Sequence, residues 1–99
     1  MIIAKVVGSI VATTKAEKLT GKKLLIVTPL DMKSIEEDGK PLVAIDTVGS
    51  GIGEVVLVVS GSSARQTEAT TGVPVDAAIV GIVDQIEIQG NLTFSKGGS

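Results

Sequence analysis

Residues 77–88 read AAIVGIVDQIEI and are predicted to form the longest strand of the chain. Successive side chains of a strand point to opposite faces. The aliphatic residues Val80, Ile82, Ile86 and Ile88 share one face of this strand. The other face is apolar through Ile79, Gly81 and Val83 and becomes polar at Gln85, Glu87 and Gln89. The first half is therefore expected to be buried on both faces, and the second half on one.

The rest of the chain has a similar composition, with 14 Val and 11 Ile among 99 residues. Such β-branched residues favour strands. Further strands are predicted over 2–12, 24–28, 42–48, 55–60 and 92–95. Gly8 is expected at a bend or bulge, and Pro29 at a strand end. Phe94 is the single aromatic residue, so the core has to be built from aliphatic side chains.

One short helix is predicted among these strands, over about 64–70. Ser63 and Gln66 match a capping box, and Gly72 followed by Pro74 is typical of a helix end. No alternation of strands and helices occurs. The pattern favours an all-β fold: a small OB-like β-barrel of five to six strands with one short α-helix.

The composition narrows the classes of function. His and Cys are both absent and the net charge is −2. Thiol chemistry, the usual transition-metal sites and the commonest general base are therefore excluded. We expect no enzyme activity, no cofactor and no metal.

The first residues do not resemble a secretory signal and no stretch is long enough to span a membrane. We therefore expect a cytoplasmic protein with a single domain over 1–96. The tail 97–99 (GGS) is expected to be disordered or foreign to that domain.

Apolar faces on both sides of several strands indicate subunit association. Besides 77–83, the runs Val6-Val7, Ile10-Val11 and Val55–Val59 show the pattern. A barrel of this size has no second layer to cover its outer faces, and soluble monomers rarely expose large apolar patches. The alternative is that the short helix and the loop over 31–41 cover these faces.

Two motifs could in principle bind a phosphate group or a cation. The loop 49–53 (GSGIG) lacks the helix that a phosphate-binding loop requires, so a tight turn or a close approach of backbones is favoured. Asp31, Glu36, Glu37 and Asp38 do not have EF-hand spacing, so a solvated acidic loop is favoured over a cation site.

Arg65 is the single arginine of the chain. Its position at the start of the predicted helix opposes the helix dipole, so we expect its guanidinium to bind a carboxylate or a carbonyl. Asp46, Glu54 and Asp76 are the candidates, within one subunit or between two. A free surface arginine is the alternative.

An OB-like barrel also suggests a module that binds single-stranded nucleic acid. Such modules combine a basic groove with stacking aromatic side chains. This chain has a negative net charge and one aromatic residue. These features disfavour nucleic-acid binding, which is therefore only the alternative function.

Several blocks resemble the EutN/CcmL family across nearly the whole chain. They are AKVVG at 4–8, AIDTVGSG at 44–51, GE at 53–54, LVVSGSSARQ at 57–66 and PVDAAIVGIVD at 74–84. The resemblance implies a structural shell protein, a homopentamer that caps the vertices of an icosahedral bacterial microcompartment. Hexameric and trimeric shell proteins would be its partners. The resemblance does not distinguish between the carboxysome and the catabolic types of compartment.

The resemblance also implies positions for the contacts between subunits. Gly49, Ser50 and Gly51 are the candidate residues for the pore at the five-fold axis. The candidate interface residues are Asp46, Glu54, Arg65, Asp76, Ile79 and Val83, with the doubly apolar strand half 77–83 at its centre.

Overall fold

The computed structural model describes residues 1–13, 19, 21–66, 70 and 76–97. Within these ranges the chain forms seven strands. They are β1 (Ile2–Ile10), β2 (Leu24–Pro29), β3 (Leu42–Asp46), β4 (Val55–Ser60), β5 (Ala77–Ile82), β6 (Gln85–Ile88) and β7 (Asn91–Ser95). The strand predictions are confirmed with shifts of a few residues at their ends, apart from the stretch 77–88.

Five of the strands close into a barrel in the order β1-β2-β3-β5-β4. All neighbouring pairs are antiparallel, with the exception of β3 and β5, which are parallel. This five-stranded closure confirms the predicted OB-like barrel. Gly8 lies at the register shift of β1 against β2, so the predicted bulge is also confirmed. Pro29 ends β2, where its missing N–H is tolerated.

The prediction of a single long strand over 77–88 is wrong. The stretch divides into β5, which belongs to the barrel, and β6, which pairs with β7 in a separate hairpin. The pairing of β5 with β4 ends at Val56 and Ile82, close to the start of β4. Val83 still donates its N–H to the carbonyl of Val55 at 2.8 Å. Asp84 is exposed, and the chain then leaves the barrel because no strand remains there to pair with it.

The predicted short α-helix over 64–70 is replaced, where the structure describes it, by a 3-10 helix over Gly61–Arg65. Ser63 lies inside this element and not at its start. Gly61 enters it with φ at 64° and donates its N–H to the carbonyl of Asp76 at 2.7 Å. This bond fixes the start of the turn earlier than the capping pattern predicts. Residues 67–69 lie outside the described residues, as do the predicted end signals Gly72 and Pro74.

The barrel interior is filled by aliphatic side chains. Ala4, Val6, Leu25, Val27, Ala44, Val56, Val58, Ala77 and Ile79 form one buried cluster there. Since neighbouring residues of a strand face opposite sides, Ile3 and Leu57 lie on the outer face of β1 and β4. They contact the hairpin through a second cluster that includes Val83, Ile86 and Phe94.

The outer face of β3 and β5 is covered in a similar way. Ile45 and Ala78 are buried there against Ala64 of the 3-10 helix. The two-sided burial predicted for the start of the 77–88 stretch is therefore achieved inside one chain. Apolar side chains that remain exposed among the described residues include Val7, Val43 and Ile52. The alternative was that the short helix and the loop 31–41 cover these faces. The 3-10 helix does cover the face of β3 and β5, whereas the face of β1 and β4 is covered by the hairpin together with Ile35 of that loop.

Candidate functional site

The loop between β3 and β4 is organised around the carboxylate of Asp46. Asp46 ends β3, and its side chain is only 3% exposed. Its Oδ1 accepts hydrogen bonds from the backbone N–H of Val48 at 3.2 Å and of Ser50 at 3.2 Å, and from Ser50 Oγ at 2.9 Å. A carboxylate that binds backbone N–H groups of the following residues is a common means of holding a tight loop. Asp46 therefore holds the loop that it precedes.

Lys23 completes the arrangement from the start of the neighbouring strand β2. Its Nζ donates to the carbonyl oxygen of Ser50 at 2.6 Å and lies 3.8 Å from Asp46 Oδ2. The Lys23 side chain is 54% exposed, whereas its partner carboxylate is nearly buried. Asp46 and Lys23 thus bind Ser50 through its N–H, its hydroxyl and its carbonyl group.

Glu54 holds the far end of the loop. Its Oε1 accepts the N–H of Gly51 at 2.7 Å, and its own N–H donates to the carbonyl of Gly51 at 3.1 Å. Lys96 Nζ, which follows β7, lies 3.2 Å from Glu54 Oε2. The Gly51 N–H, and then the Lys96 ammonium, lower the pKa of the Glu54 carboxyl below its ordinary value.

The loop conformation depends on glycine at two positions. Gly49 has φ at 77° and Gly53 has φ at 93°. Residues with a Cβ adopt this left-handed region only at a cost. Gly51 has no such φ, and a Cβ placed there would meet Glu54 Oε1 at an ordinary 3.7 Å. Gly49 and Gly53 are therefore required for the fold of the loop, whereas Gly51 is not.

Ser50 and Ile52 occupy opposite environments in this loop. Ser50 is fully buried, with its hydroxyl on Asp46. Ile52 is 69% exposed at the tip of the loop. The outward surface of the loop is thus formed by glycine backbone and an apolar side chain, while its polar groups bind one another.

The other predicted interface residues are not gathered with this loop. Arg65 and Asp76 are exposed, at the end of the 3-10 helix and just before β5. Ile79 is fully buried in the barrel core, and Val83 packs under the hairpin. The backbone carbonyl of Ile79 does reach the loop, since it accepts the Thr47 hydroxyl at 2.7 Å.

The acidic loop 31–38 is held by its own backbone. Asp31 Oδ1 accepts the N–H of Lys33 at 2.8 Å and of Ser34 at 3.0 Å, and these bonds lower the pKa of Asp31. Within the described ranges, no group of three or more carboxylates lies close enough to hold a metal ion. Nor does any helix of the described part have the length and apolar character needed to cross a bilayer.

Lys23 and Lys96 are the site residues that sequence reasoning missed. Lys23 is 27 residues from Ser50, and Lys96 is 42 residues from Glu54 in the numbering of the chain. Both lie in stretches that read as ordinary polar turns. Closure of the barrel brings both lysines beside the loop, and no local sequence pattern predicts these contacts.

Comparison with known proteins identifies the family. The family model described as ethanolamine utilisation protein EutN/carboxysome matches residues 1–84. The chain belongs to the EutN/CcmL family. The family prediction made from the sequence blocks is thereby confirmed.

Two sequence relatives carry related names. The bacterial microcompartment shell vertex protein GrpN of Rhodospirillum rubrum (strain F11) is 51% identical over 88% of this chain and 97% of its own. The shell vertex protein EutN of Salmonella typhimurium (strain LT2) is 45% identical over 97% of this chain and 96% of its own.

Two solved structures share the fold. CcmL of Nostoc sp. PCC 7120 superposes with a TM-score of 0.90 at 43% identity, over 97% of this chain and 100% of that one. The GrpN pentameric microcompartment shell protein from Rhodospirillum rubrum superposes with a TM-score of 0.77 at 48% identity, over 89% and 98%. This EutN/CcmL member therefore shares its barrel fold with GrpN, which is described as pentameric.

Proposed function

We propose that this chain is a structural subunit of a bacterial microcompartment shell, in which five copies form a pentamer that occupies a vertex. The observation that carries this is the likeness to GrpN, a pentameric shell protein, at 48% identity over nearly its whole length. The shell of such a compartment, inside the cytoplasm, is the proposed location. The proposed role is non-catalytic, in line with relatives named as shell vertex proteins.

The geometry of a closed shell gives this role its physical meaning. A flat lattice of six-fold tiles closes into an icosahedron only where five-fold units stand at its corners. We propose that hexameric and trimeric shell proteins are the neighbours of this pentamer. A five-fold ring uses a head-to-tail interface, in which two different patches of each subunit meet.

The nucleic-acid alternative has no support from the described surface. The barrel has the OB-like order. The chain has a net charge of −2 and one aromatic residue, whereas binders of single strands use basic grooves and stacked rings.

Co-assembly tests the proposed function. A hexameric shell protein from the same compartment is produced with and without this chain, and the products are imaged by electron microscopy. Closed polyhedral particles are expected only when both are present, with this chain at the corners. Open sheets or tubes in both preparations would contradict the vertex role.

We propose that the loop 49–51 lies nearest the five-fold axis, where backbones of different subunits approach. Gly51 supports this, because nothing inside the chain requires a glycine there. Gly51→Ala is expected to leave subunit folding unchanged and to weaken the pentamer, as measured by dissociation on dilution. Gly8→Ala is the matched control, since its Cβ would also meet only an ordinary contact, at 3.5 Å from Ile26 Cδ1. Equal affinity of both variants would contradict an axial position for Gly51.

We also propose that Arg65 and Asp76, which are exposed in the single chain, take part in the subunit interface. Ile79 and Val83 would act there through the shape of the strand that they anchor, because both are buried within the chain. Asp46 and Glu54 would act through the loop that they hold. Arg65→Ala is expected to shift the pentamer towards smaller species in light scattering, while the exposed control Lys40→Ala is not.

A further inference from the structure

Ser50 is bound from two sides by the charged side chains of Asp46 and Lys23, an arrangement that we call the clasp. Asp46 accepts its N–H and its hydroxyl, and Lys23 donates to its carbonyl at 2.6 Å. Ser50 and the Asp46 carboxylate are shielded from water, with exposures of 0% and 3%. Hydrogen bonds to charged groups are stronger than neutral ones, and those in shielded surroundings are less weakened by solvent. The loop is thus held by bonds made inside a single chain.

Lys23 connects this loop to the start of β2. It precedes β2, and its own backbone carbonyl accepts the N–H of Asp46 at 2.9 Å. Backbone and side chain of Lys23 therefore both bind the Asp46–Ser50 segment. The start of β2 and the end of β3 are neighbouring strand ends, so the position of the loop follows the position of the barrel rim.

We propose that Lys23 and Asp46 are positioning residues that set the shape of the loop 47–51 within each subunit, so that the loop is already formed when subunits associate. This rests on the proposed function, because it concerns the loop that we place at the five-fold axis. A loop that is ordered beforehand loses less conformational entropy on association, and association is correspondingly tighter. The Ser50 hydroxyl then donates to Asp46 and does not line a pore.

The test compares Lys23→Met, which keeps an unbranched side chain one atom shorter and removes the ammonium donors, with the adjacent exposed Lys22→Met as the control. Amide hydrogen exchange is followed at Val48 and Ser50 by mass spectrometry. Lys23→Met is expected to speed exchange at these amides about tenfold, the scale of one lost charged hydrogen bond. Lys22→Met is expected to leave it unchanged. Exchange that is equal in both variants would overturn the proposal.

A second readout connects the clasp to association. Pentamers with light and heavy isotope labels are mixed, and the exchange of subunits between them is timed by native mass spectrometry. Lys23→Met and Asp46→Asn are each expected to speed subunit exchange about tenfold, and the double variant is expected to gain little more because the two residues act on the same loop. Unchanged subunit exchange in variants with a loosened loop would overturn the link to association.

The two readouts separate this inference from the proposed function. A wild-type protein that is not pentameric would contradict the vertex role, while amide exchange would still decide whether Lys23 and Asp46 set the loop. A pentameric wild type with loop amides that are insensitive to Lys23→Met would contradict the clasp and leave the vertex role standing.

Discussion

At the scale of single residues, the carboxylates of Asp46 and Glu54 hold the two ends of the loop between β3 and β4. Asp46 and Glu54 were selected as candidate partners for Arg65, from charge alone. In the structure they accept N–H groups of the loop that they flank. An Asp followed by Val, Gly and Ser at this spacing is a local turn signal that could have been recognised. The contribution of Lys23 has no such signal, because it depends on closure of the barrel.

Glu54 should make stability depend on acidic pH. Its folded pKa is lowered below the ordinary value of 4.5, first by the Gly51 N–H and then by Lys96. A group whose pKa is depressed by folding adds stability above its unfolded pKa and loses it as the pH falls through the folded pKa. Glu54→Gln is therefore expected to lower Tm at pH 7, with the difference from wild type shrinking below about pH 4. Thermal unfolding followed by circular dichroism from pH 7 to below about pH 4 measures this difference in Tm.

The exposed Glu87→Gln variant is the control for that measurement. Asp31 also has a lowered pKa, so the wild type loses stability in acid from more than one group. The comparison of variants isolates the part due to Glu54. A Glu54→Gln profile parallel to wild type from pH 7 to pH 3 would be at odds with this account.

Gly49 should be harder to replace than Gly51. Its φ of 77° costs an alanine about 1–2 kcal/mol. Gly49→Ala is expected to lose about that much stability in urea unfolding at a fixed protein concentration. Gly51→Ala, without a positive φ, should lose less stability than Gly49→Ala, because only the weakened association of its pentamer lowers it. Equal losses in the two variants would contradict the loop conformation described here.

At the scale of elements, strand existence could be predicted but strand partnership could not. The runs over 42–46 and 55–60 have strong β-branched patterns, and they form β3 and β4 as expected. The run over 77–88 carries an equally strong pattern across the point where the chain changes sheets. Alternation reports which side of a strand is buried, and it carries no information on the neighbour that does the burying. The break at Val83 and Asp84 follows from the start of β4 at Val55, which is distant in sequence.

The β6–β7 hairpin should depend on Phe94 for its attachment to the barrel. Two-stranded hairpins are marginal alone, and Phe94 is partly buried in the cluster that joins the hairpin to Ile3 and Val83. Phe94→Ala is expected to cost about 2 kcal/mol, less than for a fully buried ring. Leu92→Ala on the same strand, where Leu92 is half-exposed, should cost little. Urea unfolding measures both, and similar costs would contradict the hairpin packing.

At the scale of the whole molecule, composition and pattern sufficed for an OB-like barrel and did not determine the number of subunits. The sequence suggested association because strands such as 77–83 are apolar on both faces. The structure covers the start of that strand with Ala64 and neighbouring side chains, and covers Leu57 and Val83 with the hairpin. Burial within the chain thus explains much of the pattern. The five-fold state instead rests on the likeness to a pentameric relative.

The central claim is that this EutN/CcmL barrel is one fifth of a shell vertex. Native mass spectrometry of the purified wild-type chain at micromolar concentration tests it most directly. Subunits of 10.0 kDa are expected to give a dominant species of about 50 kDa, five copies. A dominant monomer, or a ring of another number such as six, would contradict the account.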